Sequence, residues 1–322
     1  MGYVFGPVPS RRLGQSLGID PVPLKTCNWN CVYCQLGRSK PLIDHRAEYI
    51  STQNIIAQLQ NALHFHKPGE IDWITFVGSG ETTLHINLGS MLEQVKSMTN
   101  IPVAVITNGS LLYLPEVRND LSLADAVMPS LDAGSAHLYK NINRPHPHLD
   151  YEEFIDGLVR FRQQYHGKFW IEVMLIKGLN DTLQALREIA NRMQLIKPDE
   201  IHLLLPTRPP AESWVKPSEE TNVRMAQLIL GNNVKVFHSQ KGSFGLGGTD
   251  SVFQAVIAII TRHPMKESEL LEALKHYPQE KIDEVMNALR ESGEAQIVER
   301  YGERYWSASP SQYAAAVANE EK

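Results

Sequence analysis

From Ser16 to Leu205 the chain repeats one pattern, a short apolar and β-branched run followed by a longer stretch whose apolar residues recur every three to four positions. The first kind of run suits a buried strand and the second a helix that buries one face, so their alternation is the pattern of βα units and a parallel sheet. Strands are expected at Ser16 to Ile19, Ile71 to Val77, Ile101 to Thr107, Ala126 to Leu131, Trp170 to Ile176 and Glu200 to Leu205. Helices are expected from the Ser51/Thr52 cap through Ile55, Ile56, Leu59 and Leu63, and then across Leu88, Met91, Leu92 and Val95. Two more are expected around Phe154, Leu158 and Phe161, and from Thr182 to Leu195.

From about Ser251 the character changes. Val252, Val256, Ile259 and Ile260 mark one helix, Glu267 to Leu274 a second and Gln279 to Leu289 a third. Ala295 to Arg300, Tyr301-Gly302-Glu303 and Arg304-Tyr305-Trp306 then read as strand, turn and strand. Three helices and a β-ribbon make a small winged-helix-like α+β domain. The expected organisation is a large α/β domain over 1–245, the small domain over 250–310 and a tail over 311–322, with a glycine-rich linker at Gly242 to Gly248. A chain of 322 residues suits two domains.

A winged helix invites duplex DNA, but the charges oppose it. The third helix sets Lys281 and Arg290 against Glu280, Asp283, Glu284 and Glu291, and the whole chain carries a net charge of -5. Phosphate backbones need a basic face. Contact with a peptide or protein, or packing on the large domain, is the better reading of this tail. The apolar run near Val256 to Ile260 is far shorter than the roughly 18 residues of a membrane span, and Met1-Gly2 is not followed by the serine or threonine of a myristoylation site. No membrane association is expected, and a cytoplasmic location suits thiols that must stay reduced.

All three cysteines lie within eight residues, Cys27-Asn28-Trp29-Asn30-Cys31-Val32-Tyr33-Cys34, a C-x3-C-x2-C spacing. A cubane [4Fe-4S] cluster normally takes four thiolates, so three leave one iron open to bind a small molecule. Asn28, Asn30 and Gly37 let the loop curl around a bulky inorganic ligand. Competing uses are a zinc site, for which His45 is the nearest downstream fourth ligand, a disulfide, which an odd count cannot complete, and a C-x2-C redox pair.

The C-x3-C-x2-C run with Tyr33 just before its last cysteine resembles the signature of the radical S-adenosylmethionine (SAM) superfamily. The resemblance implies a partial (βα)6 TIM-like radical SAM barrel with active-site residues at the C-terminal strand ends. It implies a [4Fe-4S] cluster on Cys27, Cys31 and Cys34, with SAM chelated to the open iron. One electron then splits the sulfonium, and the resulting 5'-deoxyadenosyl radical takes a hydrogen atom from the substrate. Tyr33 matches the position of an aromatic residue against the SAM adenine. Gly78-Ser79-Gly80-Glu81 resembles the Gly-Gly-Glu turn that holds the SAM amino group. Thr107-Asn108-Gly109-Ser110 and Ser130-Leu131-Asp132-Ala133 resemble segments lining the SAM or substrate pocket, with helix capping the competing role for Asn108 and Asp132. Arg144, before Pro145, offers a guanidinium for a carboxylate. Lys177 and Arg208, at strand ends, are candidate anion contacts, with a solvated surface charge as the alternative.

Phe5 to Gly14 and Ser16 to Asp20 resemble the start of a narrower, wyosine-synthase-like group. That enzyme uses an additional cysteine-bound cluster, and no cysteine follows Cys34 here, which argues against forming its tRNA tricycle. The expected function is reductive SAM cleavage and hydrogen abstraction from an RNA base, peptide or small metabolite, served by an electron donor such as flavodoxin or ferredoxin. The alternatives are an activase that makes a radical on a partner protein, and a non-catalytic iron–sulfur redox regulator with a winged-helix output.

Overall fold

The computed structural model describes residues 2–237 and 251–315. The expected glycine-rich linker and the end of the expected tail lie outside the described residues. The chain enters through β1 (Val4–Ser10), which pairs antiparallel with β2 (Gly14–Ile19). The cysteine loop follows, then α1 (Thr52–Phe65), β3 (Trp73–Phe76), a 3-10 turn (Thr82–Leu84), α2 (Leu88–Met98), β4 (Val103–Thr107), α3 (Pro115–Leu121) and β5 (Ala126–Pro129). Next come α4 (Ala136–Ile142), α5 (Tyr151–Gln164), β6 (Lys168–Met174), α6 (Leu183–Ile196), β7 (Glu200–Leu204), α7 (Glu220–Leu230) and β8 (Val234–Phe237).

The eight strands form one sheet in chain order, with every pair from β2 to β8 parallel. The sheet curls into an open half-barrel, the expected partial TIM-like barrel. Alternation sorts its two faces. Ile74, Phe76, Val105, Phe169, Ile171 and Leu203 pack outward under the helices. Leu13, Ala104, Ala126 and Met128 face inward, with Trp73, Ile106 and Trp170 beside them. Each fully buried side chain of this size contributes about 1.5–3 kcal/mol. A helix such as α2, which buries Leu88, Met91, Leu92 and Val95, is therefore held mainly by its apolar face.

Two barrel strands went unread in the sequence, β1 and β8. Pro7 and Pro9 break the apolar pattern of β1, yet both are tolerated because the strand lies at the sheet edge. Its turn tucks Leu13 into the barrel interior and pairs Arg12 with Glu172 of β6.

The second unit comprises α8 (Val252–Arg262), β9 (Met265–Lys266), α9 (Glu267–Leu274), α10 (Gln279–Glu291), β10 (Ala295–Arg300) and β11 (Glu303–Ala308). Its antiparallel sheet has the order β10-β11-β9. Val256, Ile260, Leu270, Leu274, Val285, Leu289 and Trp306 form a core of its own. The three helices begin where the sequence places them, while the two-residue β9 is too short to carry a periodic signal. No helix among the described residues is long and apolar enough to cross a membrane.

Candidate active site

The cysteine loop leaves the C-terminal end of β2, the end of a parallel barrel at which loops from several strands converge. Protein contacts fix its shape on every side. Lys25 N–H donates to Ser79 O at 2.6 Å and Glu81 N–H to Thr26 O at 2.8 Å, joining it to the turn after β3. Asn30 N–H donates to Asn143 O (3.0 Å), Val32 N–H to Ile142 O (2.9 Å) and His146 N–H to Asn28 O (2.8 Å), joining it to the segment after α4. The Asn28 side chain is fully buried; it donates to Ser110 Oγ at 2.8 Å and accepts from Asn108 Nδ2 at 2.7 Å. Gly80 is required by this packing, because a Cβ there would lie 1.8 Å from Thr26 O.

The three thiols are surrounded by N–H donors. Lys25 Nζ lies 3.2 Å from Cys34 Sγ, Trp29 N 3.4 Å from Cys27 Sγ, and Asn143 Nδ2 3.7 Å from Cys31 Sγ. Donors of this kind tune the potential of thiolate-bound iron. Burial, assisted by the charge of Glu81, pushes the Cys27 thiol up to about 12, and burial together with Cys27 and Asp132 pushes Cys31 well above the usual thiol range. Only a strongly cationic ligand would deprotonate them. Among the described residues, one set of three ligand atoms of the His, Cys, Asp or Glu type lies within 4.8 Å of one another, that of Asp44, His146 and His148. The cysteine sulfurs are spread more widely than this, whereas a single tetrahedral zinc with bonds of about 2.3 Å would hold its sulfurs about 3.8 Å apart. Three thiols in one loop with N–H donors at their sulfurs are a donor set that suits a thiolate-bound iron–sulfur cluster.

Glu81 sits buried at the centre of the site. Its Oε1 accepts from Thr83 N, Thr83 Oγ1 and Thr107 Oγ1 at 2.9, 2.5 and 2.5 Å, and its Oε2 accepts from Asn108 N at 2.6 Å. The carboxylate thus locks the end of β4 to the turn after β3. Asp132 has a similar standing. Its Oδ2 accepts from Tyr33 OH at 2.5 Å and Asn143 Nδ2 at 2.7 Å, and its Oδ1 accepts from Met174 N at 2.8 Å. Burial lifts both carboxyls above their ordinary range against these donors.

Several sequence expectations change with these contacts. Asp132 caps no helix, since the N-cap of α4 is Ser135, and its carboxylate is filled by protein donors. The Tyr33 hydroxyl is held by Asp132, while its ring packs beside Val32, Ile142 and Ile176. Asn108 caps no helix either; it turns to Asn28 and stands 4.0 Å from Cys27 Sγ. Ser130 lies opposite Glu172 across β5 and β6. Arg144 adopts a left-handed backbone (φ 48°) before Pro145, and its guanidinium is spent on Glu212 at 2.6 Å, which also binds Arg38. Lys177 pairs with Glu219 at 2.5 Å on the surface, so it is a solvated charge.

Other contributors were not singled out from sequence. Asn143 bridges Asp132 and Cys31. Asp20 accepts from Ser79 N (3.0 Å) and Ser79 Oγ (2.6 Å) and pairs with Arg262 of α8 at 2.7 Å. Residues 311–315 cross the cysteine loop, where Arg38 N–H donates to Gln312 O at 2.6 Å and Tyr313 OH donates to Gln35 O at 2.6 Å. A depression of about 700 Å³ lies instead at the opposite barrel end, lined by Asp125, Arg162, Lys168, Asp199, Glu200 and Lys235. Its acids are matched by Lys96, Arg162 and Lys235, and Lys168 Nζ stands over the rings of Trp73 and Trp170 at 5.0 and 5.4 Å.

Comparison with known proteins agrees with this geometry. Residues 22–191, just over half of the chain, match the radical SAM superfamily. The chain is 34% identical over 279 residues to a UPF0026 protein of Methanocaldococcus jannaschii, covering 85% of this chain and 86% of that one. It is 43% identical over 233 residues to a Brachyspira hyodysenteriae protein named GTPase Obg, covering 72% of this chain but only 34% of that protein. The present sequence has no G-x-x-x-x-G-K-S/T phosphate loop. Among solved structures, a radical SAM methyltransferase from Sphaerobacter thermophilus matches with a TM-score of 0.54 at 17% identity, covering 70% of this chain and 67% of that one. Streptococcus suis SuiB, bound to its precursor peptide SuiA, matches with a TM-score of 0.51 at 15% identity, covering 80% and 54%. These two likenesses concern the fold. The sequence match over the barrel, cysteine loop included, and the nearly full-length relative together mean that the chain belongs to the radical SAM superfamily, within the UPF0026 group.

Proposed function

We propose that Cys27, Cys31 and Cys34 hold a [4Fe-4S] cluster with one open iron for SAM, and that Gly78, Ser79, Gly80 and Glu81 shape the seat of the SAM methionine end. When bound, cluster and SAM supply one-electron reductive cleavage and hydrogen abstraction from an RNA base, peptide or small metabolite. The observation that carries this reading is a three-thiol loop held in shape by the turn after β3 and the segment after α4, at the C-terminal mouth of the barrel. Asn108 and Asn143 point N–H groups at thiol sulfur. Glu81 keeps β4 against the turn, and Asp132 keeps Tyr33 and Asn143 in place. A small protein donor such as flavodoxin or ferredoxin would deliver the electron, in a cytoplasmic setting where thiols stay reduced.

The test is anaerobic reconstitution with iron and sulfide, reduction, and addition of SAM, with 5'-deoxyadenosine measured by mass spectrometry beside an EPR spectrum. Wild type should give the nucleoside and a cluster signal altered by SAM, and C31A should give neither. Equal cleavage by C31A would end this reading. A cluster that neither binds nor cleaves SAM would favour the redox regulator.

A further inference from the structure

Inside the barrel mouth two arginines lack acidic partners among the described residues. The β1–β2 turn brings Arg11 into the barrel, where its Nη2 donates to Thr207 Oγ1 at 2.6 Å. Arg208, next to Thr207 in the segment after β7, reaches the Oε1 of Gln35, the residue after Cys34, at 3.2 Å. The small domain supplies the facing wall. Gln35 Nε2 donates to Arg262 O at 2.8 Å and lies 3.5 Å from His263 Nδ1, while Tyr305 OH donates to Thr207 O at 3.2 Å. Arg11, Arg208, Gln35 and His263 each keep partial exposure.

Nearby cations have their own partners: Arg12 pairs with Glu172, Arg262 with Asp20, and Arg144 with Glu212. Among the described residues, neither Arg11 nor Arg208 forms an ion pair. The acid acting on both is Glu269, which is exposed and accepts from Lys266 N–H at 3.2 Å. A solvated carboxylate beyond contact compensates little. Burial and the charge of Arg11 push Arg208 down to about 10, and burial, with the charges of Arg208, Arg262 and Arg11, keeps His263 well below its usual range.

We propose that Arg11 and Arg208 bind a phosphate monoester group of the substrate, in a pocket beside Cys34 that the C-terminal domain helps to wall. The assignment rests on the function proposed above and narrows its substrate class to a phosphorylated small metabolite. Charge decides between oxyanions. A phosphate monoester carries about -1.5 to -2 near pH 7 and matches two guanidinium groups, each able to donate two parallel hydrogen bonds. A carboxylate or a phosphodiester, with one negative charge, would leave one arginine uncompensated.

The test is calorimetric titration of the full-length protein, with and without iron–sulfur reconstitution, using inorganic phosphate, dimethyl phosphate and acetate as probes. Phosphate should bind saturably and at least tenfold more tightly than either monoanion, and R11Q/R208Q should weaken it at least tenfold. If the double variant melts early, R11Q and R208Q are read singly. Absent saturable phosphate binding, or binding equal in wild type and variants, would overturn the proposal. Equal binding of dimethyl phosphate would overturn it in favour of a nucleic-acid backbone. SAM binding to the reconstituted protein is titrated separately, so a failed phosphate pocket and a failed SAM site give different results.

Discussion

At the scale of single residues, the site is built by close approach and by burial, and each makes a measurable demand. Gly80 lets the turn after β3 touch the cysteine loop, and a methyl group there would overlap Thr26 O. Since backbone cannot yield as a side chain does, G80A should displace the loop. Iron content after reconstitution should fall severalfold and SAM binding at least tenfold, with a lower melting temperature; wild-type iron and SAM binding in G80A would show that the loop adapts. His202, on the inner face of β7, illustrates burial. It is 1% exposed, and desolvation holds its pKa at about 4 despite its hydrogen bond to Glu200 at 2.8 Å. Between about pH 4 and the ordinary histidine value near 6.5, the unfolded chain takes up a proton that the folded one refuses. Stability is therefore lost as pH falls through that window, by on the order of 3 kcal/mol in all. Urea unfolding at pH 7 and pH 4 should show H202Q losing less than wild type by about that amount; parallel losses would mean that His202 charges freely in the folded state.

At the scale of elements, stability comes from ends as well as faces. Asp150 caps α5, its Oδ1 accepting from Glu152 N at 2.8 Å and Glu153 N at 3.1 Å. D150A should cost about 1 kcal/mol, read as a shifted urea midpoint at unchanged slope, and a shift under a few tenths would mean that water replaces the cap. Such local signals made much of the fold legible. Thr182 announces α6 by capping Ala185 N, and the six inner strands appear as apolar runs within a few residues of their true ends. Elements whose support comes from elsewhere stayed hidden. β1 carries two prolines and is a strand only because β2 offers it an edge, and β8 is four residues long. The site divides in the same way. Three cysteines in eight residues and the Gly78 to Glu81 turn are contiguous motifs, visible without a fold. The roles of Asn143, Asp20 and Arg262 depend on partners far away in the chain, and Asp132 and Arg144 looked available for ligands until the fold supplied Tyr33 and Glu212.

At the scale of the whole molecule, the small C-terminal unit is joined through its interior to the turn after β3, the proposed seat of SAM. Arg262 is 5% exposed, pairs with the 2% exposed Asp20, and also donates to Gly2 O at 2.8 Å. Asp20 in turn fixes both Ser79 N and Ser79 Oγ. Removing one member of a buried pair strands the other's charge, at a cost of about 3–5 kcal/mol. In R262A the deserted Asp20 carboxylate would draw water toward the turn after β3 and loosen Ser79, so stability and SAM affinity should fall together. D20N alone should weaken SAM binding as well, because one acceptor of the Ser79 pair becomes a donor. The informative variant is the double one, D20N/R262A. It removes both charges, and its losses should be smaller than the sum of the single losses by at least 1 kcal/mol, the mark of direct coupling. Unfolding midpoints and SAM titrations on the four proteins of that cycle decide the matter: additive losses would mean that the C-terminal unit merely rests on the barrel, whereas coupled losses would make it part of what keeps the proposed SAM turn in shape.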